Sequence, residues 1–162
     1  MLVGLSAAVI GAALAQLGLF LIAAFFRLRT PFAFEWVEQY STLHALSMAR
    51  GWPVYGPPSL EATSTVYTPA MAYMILFGLK LGLPAMQIGR VISILSILLA
   101  QLSLYRLVRR EGGTRTMGWL AIGLFLGSYV AANRVYDMAR VDASAVGFFA
   151  LGLTLVSGTR RR

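Results

Sequence analysis

Long apolar runs separated by short polar stretches set the pattern of the chain. Leu2 to Phe26 is 25 residues without a charge, enough to cross a bilayer with some tilt. Glycines recur there every seven residues, at Gly4, Gly11 and Gly18, and small residues on one face let another helix approach closely. A cleaved signal peptide needs a basic leading segment and a shorter apolar core, so the reading is an uncleaved anchor. Met86–Tyr105, Met117–Ala132 and Val141–Ser157 are predicted as further spans.

The polar region Arg27–Tyr67 is studded with aromatics, among them Phe32, Phe34, Trp36, Tyr40, Trp52 and Tyr55, which suits a loop lying at the membrane interface. Glu35–Arg50 is predicted as a short helix ended by Gly51, with Pro53 preventing its continuation. Pro57-Pro58 and Ser59 then predict an extended segment. Thr68–Leu83 is apolar but broken by Pro69, Lys80 and Pro84; its uninterrupted run, Ala70–Leu79, is too short to span and predicts an interfacial or re-entrant helix. The expected fold is all-α: a single integral membrane domain over residues 1–162, with about four transmembrane helices (2–26, 86–105, 117–132, 141–157) and interfacial helices in a first outward loop, 27–85.

Composition sharpens the class. The chain of 162 residues is 58% hydrophobic and 12% charged, with a mean hydropathy of +0.72. Soluble domains average about 25% charged residues, so this chain lacks the polar surface to cover a globule. The absence of cysteine removes disulfides and thiolate metal sites. The net charge of +8 comes mostly from arginines at the ends of apolar runs, without a basic stripe interleaved with aromatics, which speaks for interfacial anchors and against nucleic acid.

Arginine placement also predicts orientation. Arg106, Arg109, Arg110 and Arg115 crowd the loop after the second span, and the chain ends Arg160-Arg161-Arg162. The positive-inside rule makes that side cytoplasmic, together with both termini, and turns loops 27–85 and 133–140 outward. Arg27 and Arg29, directly after the first span, argue locally for the reverse.

With that orientation five of the six acids face outward. Glu111 sits solvated in the cytoplasmic arginine loop, while Glu35, Glu38, Glu61, Asp137 and Asp142 lie beside the outer membrane face. Carboxylates at a membrane boundary are costly unless they meet water, a cation or a partner. Neutralisation by neighbouring arginines is the plain explanation for each. Their convergence from two loops, with Asp137 and Asp142 flanking Arg140, suggests a site where arginine holds a phosphate and a carboxylate acts as base. On a helix Glu35, Glu38 and Thr42 would share one face and Trp36, Tyr40 and Leu43 another, which could rest in lipid. His44, the lone histidine, reads as an interfacial side chain. The acids could bind a divalent cation, though no full coordination shell is legible.

The segment PFAFEWVEQYSTLHALSMARGWPVYGPPSLEATSTVYTPAMAYMILFGL resembles the first outward loop of polytopic glycosyltransferases of the GT-C class, family 39. These include the aminoarabinose transferase and protein mannosyltransferase relatives. The matching features are Glu35-Trp36-Val37-Glu38, Arg50-Gly51, Tyr55, Pro57-Pro58 and Tyr67-Thr68-Pro69. Further on, GRVISILSILLAQLSLYRLVRREGG resembles a span ending in the Leu-Val-Arg-Arg cytoplasmic loop, and RVYDMARVDASAVGFFALGL resembles the loop bearing an Ala-Arg-x-Asp motif.

The resemblance implies a bacterial plasma (inner) membrane enzyme that moves a sugar from a polyprenyl-phosphate donor to an acceptor at the outer face. It places the catalytic role on Glu38 or Glu35. Val37 stands where many relatives carry an aspartate, so which glutamate serves stays open. Arg140 and Asp142, with Asp137 and Tyr67, would bind substrate. Relatives carry about a dozen spans, so this length implies the N-terminal module of a larger transferase, a truncated product or one half of a split enzyme completed by a second membrane chain. The alternative is a catalytically inactive membrane protein serving as scaffold or subunit, which the glycine stripe also suits. A transporter subunit fits less well, because the acids lie in loops and not mid-span.

Overall fold

A computed structural model describes residues 2–57 and 67–159, so Glu61 and the extended segment expected after Pro57 lie outside the described residues. The fold is all-α, with α1 (Leu2–Leu28), α2 (Trp36–Ala49), α3 (Ala70–Lys80), α4 (Ala85–Arg110), α5 (Arg115–Gly127) and α6 (Val141–Thr159), and no strand among the described residues. Three helices are long and apolar enough to cross a membrane: Val3–Leu28, Ala85–Arg110 and Val141–Gly158. At about 1.5 Å per residue the 11 residues of α3 fall well short of a hydrocarbon core about 30 Å thick.

The expected third span, 117–132, comes out differently. Its helix, α5, has 13 residues and ends at Gly127, and the chain then turns through 128–134. The turn is built from local polar bonds: Ser128 Oγ donates to Phe125 O at 2.7 Å, and the Arg134 and Asn133 amides donate back to Tyr129 O and Val130 O. Asn133 and Arg134 both take left-handed backbone angles (φ 54° and 55°), which is the Schellman arrangement with asparagine where glycine is usual. Gly51 (φ 87°) ends α2 by the same arrangement, its amide and that of Trp52 closing on Met48 O and Ser47 O.

Helices α4 and α6 run side by side in the same direction. Ser93 meets Arg140 near their starts, and Arg110 donates to Thr154 O near their ends. Between these, Gly147 lets the backbones touch: a Cβ there would lie 2.5 Å from Ser96 O. Helices α1 and α5 are likewise parallel, with Gly123 against Ala13 and Phe20 edge-on to Tyr129 at 5.7 Å. The core joining the two pairs is Phe20, Ala24, Ile94, Ile97, Ile122, Leu126 and Ala143. A smaller core of Ala45, Met71, Ile75 and Ala139 fastens α2 and α3 to the loop before α6.

Helices in lipid associate through close packing more than through exclusion of water, so the Gly147 contact matters. Gly147→Leu must push the two backbones apart and is expected to cost about 1–3 kcal/mol. A lowered midpoint in thermal unfolding of the purified protein measures it, and an unchanged midpoint shows that the crossing is looser.

These directions sort the chain ends. The start of α1, the turn at 111–114 and the end of α6 lie at one end of the bundle. The end of α1, helix α2 and the loop 128–140 lie at the other, where Glu35, Glu38, Asp137 and Asp142 collect.

Candidate functional site

The acid-bearing end is organised by one arginine in the first turns of α4. Arg90 is fully buried, as is Glu38 of α2. A charge near the start of a long apolar helix must be paired, and Arg90 is paired as a fork: Nε donates to Glu38 Oε1 at 2.7 Å and Nη2 to Oε2 at 3.0 Å. Its remaining donors hold the segment between α1 and α2, through Thr30 O and Phe32 O at 2.6 Å each and through Arg27 O. The Phe34 ring lies 5.1 Å from both the Arg27 and Arg90 guanidinium carbons, where cation–π attraction favours it.

Glu38 is equally committed. Beyond the arginine it accepts the Phe34 amide at 2.9 Å and the Ala139 amide at 3.1 Å. Burial pushes its carboxyl up, but the Arg90 hydrogen bonds and the two backbone amides outweigh that and hold it below its ordinary value of 4.5. The Ala139 bond ties α2 to the second loop, one residue before Arg140. Glu38 is thus a tether between loops about 100 residues apart in sequence, with no face left toward a substrate.

Held in this way, Arg140 reaches the more open acids. Its Nη1 donates to Glu35 Oε2 at 3.2 Å and its Nε to Asp142 Oδ2 at 2.9 Å. Glu35 and Arg140 side chains are about a quarter exposed (26% and 22%) and Asp142 is 56% exposed, so this cluster meets solvent or headgroups. Glu35 does not share a helical face with Glu38 as expected. It is the residue before α2, with extended backbone (φ −154°, ψ 149°), so its side chain leaves in another direction. Trp36 and Leu43 do form an exposed apolar face, as their spacing implied, and Thr42 is buried with Glu38.

Asp137, expected beside substrate, is fully buried. Its Oδ1 accepts from Arg27 Nη1 at 2.7 Å and from the Tyr129 hydroxyl at 2.6 Å, while Oδ2 has no hydrogen-bond partner among the described residues. Burial raises its carboxyl above the ordinary 3.8 against the pull of Tyr129 and Arg27. Tyr67 stands edge-on to Tyr40 at 6.0 Å, and its carbonyl accepts from the Tyr55 hydroxyl at 3.0 Å. His44, expected at the interface, is buried beside Tyr40, with Nδ1 2.9 Å from Tyr40 O. Tyr40, His44 and Tyr67 line a cavity of about 20 Å³, room for about one water.

The structure therefore brings Glu35, Arg140 and Asp142 together and sets Glu38 and Asp137 apart in buried ion pairs. Sequence reasoning missed the partners, Arg90 and Arg27. Arg90 carried a signal: a lone arginine inside a long apolar run needs a carboxylate. Among the described residues no three ligating side chains converge as a metal site would require. No protein-family model matches the chain, and neither a curated protein nor a solved structure is significantly similar to it.

Proposed function

We propose that this chain is the N-terminal membrane module of a glycosyltransferase that moves a sugar from a polyprenyl-phosphate donor to an acceptor at the outer face of a bacterial plasma membrane, with a second membrane chain or segment completing the substrate cavity. The observation that carries this reading is the junction of Glu35 with Arg140 and Asp142, the two loops whose motifs resemble those transferases. Glu35 is the candidate base, being the partly exposed glutamate of the first loop among the described residues. Arg140 offers a cation to a donor phosphate, and Asp142 orients Arg140. Glu38 and Arg90 hold the site together. Transfer from a radiolabelled lipid-linked sugar by the complete assembly tests the reading: Asp142→Asn is expected to lose most of the transfer at normal expression, and unchanged transfer removes the proposal.

The scaffold reading has one observation in its favour. The cavity lined by Tyr40, His44, Tyr67 and Val141, the residue between Arg140 and Asp142, holds about 20 Å³, far less than a sugar needs. If this chain acts only as a subunit, all substitutions in the exposed cluster leave transfer by the assembly untouched.

The proposed orientation has its own test. Cysteine introduced at Thr114, in the turn between α4 and α5, is expected to resist a membrane-impermeant thiol reagent in intact cells. Ready labelling there reverses the topology.

A further inference from the structure

Away from the Glu35–Arg140–Asp142 cluster, a groove of about 500 Å³ lies between α1 and the end of α5. Its walls are apolar: Phe20, Ala23 and Phe26 from one side, Leu126 and Val130 from the other. Its length along α1 runs from Gln16 to Arg27, eleven residues or about 16 Å, close to half of a hydrocarbon core. That is the depth of one leaflet, the reach of a lipid acyl chain.

The mouth of the groove is cationic. Arg27, Thr30 and Arg134 line that end, and no acidic side chain lines any part of it. Arg27 is half spent, its Nη1 shared by Asp137 and Arg134 O. The Arg134 side chain is exposed, and no carboxylate lies within ion-pair distance of it among the described residues. Its backbone is pinned on both sides, the amide donating to Tyr129 O at 2.8 Å and the carbonyl accepting from Arg27. The root of the side chain is thus fixed at the mouth of the groove, within reach of an anion there.

We propose that this groove is a binding site for one anionic phospholipid of the bilayer, with an acyl chain along α1 and the phosphate at Arg134. The site is independent of the transferase reading, which uses Glu35, Arg140 and Asp142 at a different place.

Native mass spectrometry of the purified protein with phosphatidylglycerol or phosphatidylcholine tests it. The protein is expected to retain phosphatidylglycerol about fivefold better, the factor that one well-placed cation supplies near an anionic headgroup. Arg134→Asn is the variant to use, because asparagine tolerates the left-handed backbone there. It should erase the preference. Arg29→Gln is the control: Arg29 is exposed at the same end, over the Phe25 ring, and lies outside the groove. It should leave the preference intact. Equal loss in both variants would indicate only general surface charge and overturn the proposal. So would equal retention of the two phospholipids, or occupancy by a polyprenyl phosphate that phosphatidylglycerol cannot displace.

Discussion

Arg90→Met is expected to lower the unfolding free energy of the purified protein by about 3–5 kcal/mol, the cost typical of stripping one partner from a buried ion pair. The arginine satisfies both Glu38 oxygens and three main-chain carbonyls between Arg27 and Phe32, and both side chains are fully buried. Removing it leaves an unneutralised carboxylate and several bare carbonyls out of water. The double variant Arg90→Met, Glu38→Met removes both charges and should recover part of the loss, because burying two apolar side chains avoids the desolvation of two ions. Thermal unfolding in detergent reads both. At roughly 2–4 °C per kcal/mol the single variant loses on the order of 10 °C.

The pH dependence has a definite sign. The folded state holds the Glu38 carboxyl below its ordinary 4.5, so it favours the ionised form. That contribution is fully present above about pH 4.5 and is lost as pH falls through the lowered value. In Arg90→Met the chief counterion is gone, and the acid limb of the stability curve should move to higher pH. An unmoved acid limb would mean that the backbone amides alone hold the carboxylate.

Glu35→Gln should do the reverse of Arg90→Met. Glu35 is partly exposed and its carboxylate is bonded only to Arg140 among the described residues, so stability should change by no more than about 0.5 kcal/mol. On the proposed transferase reading, transfer by the complete assembly should nevertheless fall by about 10²- to 10⁴-fold, the usual contribution of a general base. Glutamine keeps the size and one acceptor but cannot take the proton. Glu38→Gln separates the two roles: it should unfold more readily, and whatever transfer it loses should track the loss of folded protein. Full transfer by Glu35→Gln, or a transfer defect in fully folded Glu38→Gln, would reassign the base.

Much of the architecture was legible because spans announce themselves by length and lack of charge. Leu2–Phe26, Met86–Tyr105 and Val141–Ser157 each fall within a helix of the structure, and α2 and α3 fall within a residue or two of the stretches expected. The end of α5 was not legible. Hydropathy continues through Val130 and Ala132, whereas the backbone there is decided by Ser128, the Schellman turn at Asn133 and the tie of Tyr129 to Asp137.

The site was half legible. Convergence of two loops at one end was expected and the Glu35–Arg140–Asp142 cluster meets it, but the sorting of acids into buried and open was not. Spacing of three suggested that Glu35 and Glu38 point together, and the start of α2 one residue after Glu35 separates them. Asp137 and Arg27 pair across 110 residues, a relation no local pattern encodes. Arg27 reads from the sequence as an anchor at the end of a span, a role that accounts for its position but not for its tie to Asp137, and Arg90, near the start of the second span, has no carboxylate beside it in the sequence.

The claim on which the site depends is that Arg90 and Glu38 clamp the first loop to the second. Pulsed electron paramagnetic resonance between spin labels at Gln39 on α2 and Asn133 after α5, both exposed, measures this directly. One narrow distance distribution is expected in the parent protein, and a clearly broadened one once Arg90→Met is added. A broad distribution in the parent, or an equally narrow one without the arginine, would contradict it.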